Sequence, residues 1–110
     1  MAGKFEIKRA KDQQFYFHLK AGNGEIILAS ELYKAKPSAE KGIASVKKNA
    51  PDDGRYERRE GKSGKHHFVL KAANGEVIGT SEPYNSTAAM ENGIASVKAN
   101  APGATVVDEA

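Results

Sequence analysis

A six-residue string that occurs twice limits the possible folds of this chain more than any other feature. Gly-Ile-Ala-Ser-Val-Lys stands at residues 42–47 and returns at 93–98, an offset of 51 residues. At that offset, without a gap, 21 of the 35 positions in 17–51 are identical in 68–102. Identity at this level indicates an internal duplication. Two copies are too few for a stacked solenoid, so we expect one pseudo-symmetric body.

The chain length favours a single domain made of both copies. With 110 residues, we predict one domain over 1–110, with a first repeat at about 4–54 and a second at about 55–108. A unit of roughly fifty residues buries too little apolar surface to be stable alone. The two copies are therefore expected to share one core, in a monomer with internal pseudo-twofold symmetry.

Each copy follows the same local pattern of strands and a helix. In the first copy, residues 4–9 and 15–21 alternate between apolar and polar side chains, as half-buried strands do. Asn23-Gly24 is typical of a two-residue type I′ hairpin turn, which would place Lys20 opposite Ile27. A helix then begins near Pro37, with an inner apolar stripe that contains Gly42 and Ile43.

The end of that helix and the end of the chain complete the pattern. Pro51 stops the helix, and Asn49 is predicted to take the left-handed position at its end. The second copy repeats the plan, with a helix at about 88–100. A seventh strand is expected at 104–107, which aligns with the first strand of each copy.

This order of elements predicts an α+β fold. Two tandem β-β-β-α-β units would share one antiparallel sheet, with the two helices on one face. The uncovered face would present the same three residue types from both copies: Lys20, Ile27, Glu31, Lys71, Ile78 and Glu82. The two glutamates would pair with the two lysines, so the charges on this face would largely cancel.

Composition and motifs favour a protein without catalytic chemistry. The sequence has no cysteine, which excludes disulfides and thiolate metal sites. It contains no nucleophile elbow, phosphate loop or zinc-protease motif. His66 and His67 are adjacent on a strand and point to opposite faces, so they do not form a metal site. We therefore expect no enzyme activity, no cofactor and no metal.

The sequence also carries no feature of a membrane or secreted protein. No apolar run approaches the roughly 18 residues needed to cross a bilayer, and the N-terminus lacks the apolar region of a signal peptide. A cytoplasmic location is the expectation.

Charge supports nucleic-acid binding only weakly. The formal net charge of +3 divides into +5 for residues 1–51 and −2 for residues 52–110. Residues 55–65 mix arginine, lysine and tyrosine, but Glu57 and Glu60 interrupt the run. A nucleic-acid interface gains affinity by accumulating positive charge and releasing counterions. A weak nucleic-acid binder is therefore the alternative function, which salt-dependent binding of DNA or RNA would reveal.

The leading hypothesis is a non-enzymatic interaction module whose partner the sequence does not identify, with a protein as the first candidate. Tyr33 and Tyr84 follow Ser-Glu in each copy and are retained while their neighbours differ. They could be paired partner contacts, or their rings could pack where the strand meets the helix, which we favour. The candidate contact residues are Tyr33, Tyr84, Glu31, Glu82, Lys20 and Lys71.

The duplicated motifs resemble a known family. Phe-x-Leu-Lys-Ala-x-Asn-Gly-Glu, Ser-Glu-x-Tyr and Gly-Ile-Ala-Ser-Val-Lys together are similar to the YegP family of small bacterial proteins. This resemblance implies tandem β3-α-β units that share one sheet and exchange their C-terminal strands. It implies no activity and no catalytic residues. Arg58, where the first copy has Ile7, departs from the repeat.

Overall fold

The computed structural model describes residues 3–61 and 63–110. Within these residues, strands and helices follow the predicted order of two β-β-β-α units and a final strand. Their bounds are β1 (Lys4–Arg9), β2 (Phe15–Lys20), β3 (Ile26–Ala29), α1 (Lys36–Asn49), β4 (Tyr56–Glu60), β5 (His66–Lys71), β6 (Val77–Thr80), α2 (Thr87–Asn100) and β7 (Thr105–Asp108). A short 3-10 turn at Asp53–Arg55 precedes β4.

All seven strands form one sheet in the order β4-β5-β6-β3-β2-β1-β7. The α+β class and the two tandem units are confirmed. The sheet is antiparallel as predicted except at one edge, where β7 runs parallel to β1. After α2 the chain crosses to the far edge of the first copy and enters beside β1 in the same direction. The alternating side chains of a strand predict its faces but not its neighbour, so only the family resemblance, with its exchanged C-terminal strands, indicated that β7 joins the first copy.

The core lies between the helices and one face of the sheet, and both copies contribute to it. Helix α1 contacts β2 of its own copy and also β5 and β6 of the other, while α2 contacts β5 and β3. The largest fully buried side chains come from both halves: Phe5, Phe17, Phe68, Ile7, Leu19, Leu28, Leu70, Met90, Ile94, Val46 and Val97. Neither copy therefore encloses its own apolar surface.

The predicted hairpin turn is wrong in type, although most of the strand register is right. Of the two central residues, only Gly24 has a positive φ, at 86°, so the turn is not type I′. A three-residue loop is closed by the bond from Ala21 N–H to Glu25 O at 2.9 Å, and a bulge follows that places Lys20 opposite Ile26. Beyond the bulge Leu19 pairs with Leu28, which is the register that a two-residue turn at Asn23-Gly24 would also give.

Asn49 also departs from its prediction. Gln13 is the only non-glycine residue with positive φ among the described residues, so Asn49 is not left-handed. Instead Asn49 stays in the last turn of α1, where its buried amide donates to Ser45 O at 2.8 Å. Its side-chain oxygen accepts from Arg55 Nε at 3.1 Å. A buried amide needs such partners, and the helical conformation supplies them.

The two copies meet at a pseudo-twofold axis between β3 and β6. The strands pair at Ala29 and Thr80, which are equivalent residues of the repeat. Beside the axis, Leu28 of the first copy is matched by Gly79 in the second. A methyl group on Gly79 would lie 2.5 Å from Leu28 Cδ2. There is space for one large side chain, and the first copy supplies it.

Candidate functional site

Tyr33 and Tyr84 lie at the junction of sheet and helix in both copies. Tyr33 exchanges two backbone hydrogen bonds of 2.7 Å with Phe15, and Tyr84 bonds His66 in the same way. The Tyr33 ring stacks on Phe17 with centroids 6.2 Å apart, and the Tyr84 ring stacks on Phe68 at 6.4 Å. Both tyrosines are half-buried against the core.

The helix glycines make room for these rings. A methyl group on Gly42 would lie 2.6 Å from Tyr33 Oη, and one on Gly93 would lie 2.7 Å from Tyr84 Cζ. Burial raises the pKa of both tyrosine hydroxyls. One packing arrangement thus accounts for the retention of both the tyrosine and the glycine in each copy, which favours the structural interpretation of Tyr33 and Tyr84.

Lys20 and Lys71 bind glutamates on the first strand of each copy. Lys20 Nζ lies 3.0 Å from Glu6 Oε1, and Lys71 donates to Glu57 in the equivalent position. The sequence had suggested Glu31 and Glu82 as the compensating charges. Both of these are exposed and form no ion pair within the described part of the chain. Ile27 and Ile78 of the predicted open face are buried and join the core.

The arginines that suggested nucleic-acid binding are all engaged by carboxylates. Arg55 lies 3.7 Å from Asp52, Arg58 binds Glu91 and Asp53, and Arg59 binds Glu57. Each of these arginines is paired with at least one carboxylate, which weakens the positive field of this segment.

The open face of the first copy carries a group that sequence analysis passed over. His18 lies on β2 opposite Glu6, with the Tyr16 ring edge-on at a centroid distance of 5.2 Å. Burial, followed by the nearby Lys8, lowers the pKa of His18. The second copy has Val69 in its place. This replacement of a histidine by a valine at equivalent positions is the sequence feature that could have drawn attention to His18. No three His, Cys, Asp or Glu side chains in 3–61 and 63–110 cluster as a metal site would require.

A shallow groove of about 280 Å³ lies between the end of α1 and the β5–β6 hairpin. Ser45, Lys48 and Asn49 line one side, and residues 72–74 line the other. The Ser45 and Asn49 side chains bond each other, so the groove offers few free polar groups.

The two outer edges of the sheet differ in a way that marks a candidate binding site. On the outer side of β1, β7 covers the edge, with Thr105 N–H donating to Gly3 O at 3.4 Å and Glu109 N–H to Ile7 O at 2.8 Å. On β4, the equivalent strand of the second copy, no strand occupies that side among the described residues. One feature of the sequence indicated that this edge is open: Arg58 stands where the first copy has the buried Ile7.

The exposure of equivalent side chains also differs between the covered edge at β1 and the open edge at β4. The Glu6 side chain is 4% exposed, whereas that of Glu57, its equivalent, is 40% exposed. Lys71 and Arg59 lower the pKa of Glu57 to about 2.

The described residues contain no helix long and apolar enough to cross a membrane.

Comparison with known proteins finds the same duplication that the repeat in the sequence shows. The domain of unknown function DUF1508 matches twice, over residues 10–57 and 62–108. The chain belongs to this family. It is 62% identical over 108 residues to a UPF0339 protein of Acinetobacter baylyi, covering 98% of this chain and 97% of that protein. It is 56% identical over 108 residues to UPF0339 protein YegP of Escherichia coli, covering 98% of both. The predicted resemblance to the YegP family is confirmed.

Solved structures share the whole fold. The solution NMR structure of Escherichia coli YegP matches with a TM-score of 0.94 at 56% identity, covering 99% of this chain and 94% of that one. The solution NMR structure of a UPF0339 protein from Shewanella oneidensis matches with a TM-score of 0.93 at 50% identity, covering 98% and 92%. No function is established in the family, so its members supply an architecture and no catalytic residues to transfer.

Proposed function

We propose that this protein is a non-enzymatic interaction module that captures an extended segment of a partner protein along β4. The observation that carries the proposal is the contrast between the two edges. The outer side of β1 holds a parallel strand, and the equivalent side of β4 is open in the described chain.

An open edge strand has unpaired backbone N–H and C=O groups on its outer side. Added strands in many peptide-binding domains gain affinity from such groups. At the covered edge, the carbonyls of Gly3, just before β1, and of Ile7 accept hydrogen bonds from the added segment. Their equivalents in the second copy are Gly54 and Arg58. The protein thus contains a working example, in β7, of the segment that β4 would accept.

Charge on β4 favours a foreign segment over a second copy of the sheet. β4 is short and carries Glu57, Arg58, Arg59 and Glu60 in sequence. Charged side chains on an edge strand prevent unselective joining of two sheets. Capture therefore depends on a segment whose side chains match these charges.

The test uses a synthetic peptide with the sequence of residues 103–110 as the probe. Titrated into the 15N-labelled protein, it should cause saturable shifts in the amides of Tyr56–Glu60, with smaller shifts in Lys4–Arg9. The tethered β7 keeps β1 occupied through its high effective concentration. A peptide N-methylated at the residue corresponding to Glu109 loses the donor to the strand carbonyl and should not bind.

Three outcomes would overturn the proposal. The first is the absence of shifts in β4, and the second is shifts confined to β1. The third is a change in the β4 amides with protein concentration alone, which would make a second copy the occupant.

The open sheet face supports a second candidate, a single-stranded nucleic-acid surface. Lys4, Lys8 and Lys20 all lie within 3.8 Å of Glu6 carboxylate oxygens, three ammonium groups around one carboxylate. The aromatic pair of Tyr16 and His18 lies beside them, and aromatic rings on a sheet face can stack bases. Titration with a thymidine oligonucleotide distinguishes the candidates, because it would shift β2 rather than β4 and weaken steeply with salt.

A further inference from the structure

We infer that the segment captured by β4 runs parallel to it and carries two consecutive acidic residues, aligned with Arg58 and Arg59. This inference rests on the proposed function and specifies its partner.

β7 is bound to the first copy through two acidic side chains as well as through its backbone. Asp108, opposite Ile7, forms an ion pair of 2.5 Å with Lys36 at the start of α1. Glu109 follows, and its carboxylate lies 3.6 Å from Lys8 Nζ. Two lysines of the first copy thus recognise the two acidic residues that end the added strand.

The second copy also has two cations that could bind these two acidic residues, but one of them stands on the strand instead of on the helix. Arg59 stands at the position of Lys8. Thr87 replaces Lys36, so α2 has lost its cation, and Arg58 replaces Ile7 on the strand itself. An acidic residue at the position of Asp108 would therefore meet Arg58, and one at the position of Glu109 would meet Arg59.

Both arginines retain unused donors. Arg58 bonds Glu91 and Asp53 through Nε and Nη2, which leaves Nη1 without a partner among the described residues. Arg59 bonds Glu57 through Nε alone. A guanidinium has five N–H donors, and those that remain can bind a carboxylate.

The net charge around Arg58 differs from that around Arg59, and this difference indicates which acidic residue should bind more strongly. Around Arg58, two carboxylates (Glu91 and Asp53) balance two cations, since Lys98 also binds Asp53. Around Arg59, the single carboxylate of Glu57 faces both Arg59 and Lys71, which leaves one positive charge. The acidic residue opposite Arg59 should contribute more to affinity than the one opposite Arg58.

The experiment compares peptides and protein variants in one binding assay. The parent peptide (residues 103–110) is compared with a neutral version carrying Asp108→Asn and Glu109→Gln. In low salt, the neutral peptide and the Arg59→Gln protein should each bind about tenfold more weakly than the parent pair. Arg59→Gln should not weaken the neutral peptide further. Arg59→Glu with a Glu109→Lys peptide should restore binding.

A spin label on the peptide N-terminus tests direction. In the parallel arrangement it broadens the amide of Tyr56 more than that of Glu60. If the neutral peptide binds as tightly as the parent, or Glu60 broadens most, this inference is wrong while strand capture stands. If no peptide perturbs β4, the proposed function itself fails.

Discussion

The first strands of the two copies, β1 and β4, share an origin and differ in position. Their inward aromatic residues are equivalent: Lys47 lies over the Phe5 ring at 5.9 Å, and Lys98 lies over the Tyr56 ring at 5.6 Å. The next inward position differs, because Ile7 is fully buried and Arg58 is exposed. The strand enclosed on both sides kept an apolar residue, and the strand at the sheet edge has a charge.

The duplication itself leaves one edge uncovered. Full symmetry requires two first strands and two covering strands, four segments in all. The described residues supply three, since β4 both follows α1 and begins the second copy. β7 covers β1, and no segment of the described chain is left to cover β4. The connection between the copies thus creates the asymmetry.

Exchanging the residues that distinguish the two strands should give the largest effect. Ile7→Arg places a charge in the enclosed position and should destabilise the protein by at least about 3 kcal/mol. Arg58→Ile removes exposed ion pairs with Glu91 and Asp53 and should change stability by no more than about 1 kcal/mol. Urea unfolding of both variants measures the difference.

The control for this comparison is Ile7→Val, which keeps the position apolar and should destabilise by about 1 kcal/mol. If Ile7→Arg were as mild as Arg58→Ile, enclosure by β7 would not be what separates the two strands.

The next effect concerns the axis, where the copies also differ by one residue. Gly79→Leu would push a side chain into Leu28, whose Cγ lies 2.6 Å from the added Cβ position, and should destabilise by about 1–3 kcal/mol. Adding Leu28→Ala to this variant should recover part of the loss, because it vacates the contested space. The double variant should therefore be more stable than the sum of the single changes predicts.

Equal unfolding free energies for Gly79→Leu and the parent would contradict this account. Strict additivity in the double variant would do so as well, because it would show that the two side chains do not compete.

The duplication and the side-chain patterns predicted most of the architecture. Alternation in 4–9 and 15–21 predicted two strands, and the inner stripe containing Gly42 and Ile43 predicted a helix that the structure contains. These predictions succeed because burial on one side of an element leaves a periodic trace in the sequence. The resemblance to the YegP family added the exchanged C-terminal strand.

The parts that failed depend on contacts between distant residues. Lys20 lies nearer in sequence to Glu31 than to Glu6, yet it binds Glu6 because β1 and β2 are neighbours. The hairpin loop adopts a bulge because the sheet fixes the register beyond it. The open edge of β4 could not be identified without knowing where β7 pairs, although Arg58 signalled it.

The smallest effect separates the two glutamates by their response to acid and salt. Lys20 is the main cause that lowers the pKa of Glu6 below its ordinary 4.5, and Lys71 is the main cause for Glu57. A carboxylate whose pKa is lower in the folded state stabilises the fold above its unfolded pKa. That contribution disappears as the pH falls from about 4.5 toward the folded value, which for Glu57 is about 2.

Burial then makes the two contributions distinguishable. Salt screens exposed ion pairs strongly and buried ones much less. Glu6→Gln should therefore be less stable than the parent at pH 7 in both low and high salt, and the gap should be narrower at pH 3, which lies below the ordinary pKa of 4.5. Glu57→Gln should show a smaller gap at pH 7 that nearly vanishes in 0.5 M salt, because its ion pairs with Lys71 and Arg59 are exposed. Urea midpoints at the two pH values and two salt concentrations measure both gaps. An identical salt response for the two variants would mean that β7 does not shield Glu6, and the contrast between the covered and open edges would lose its electrostatic support.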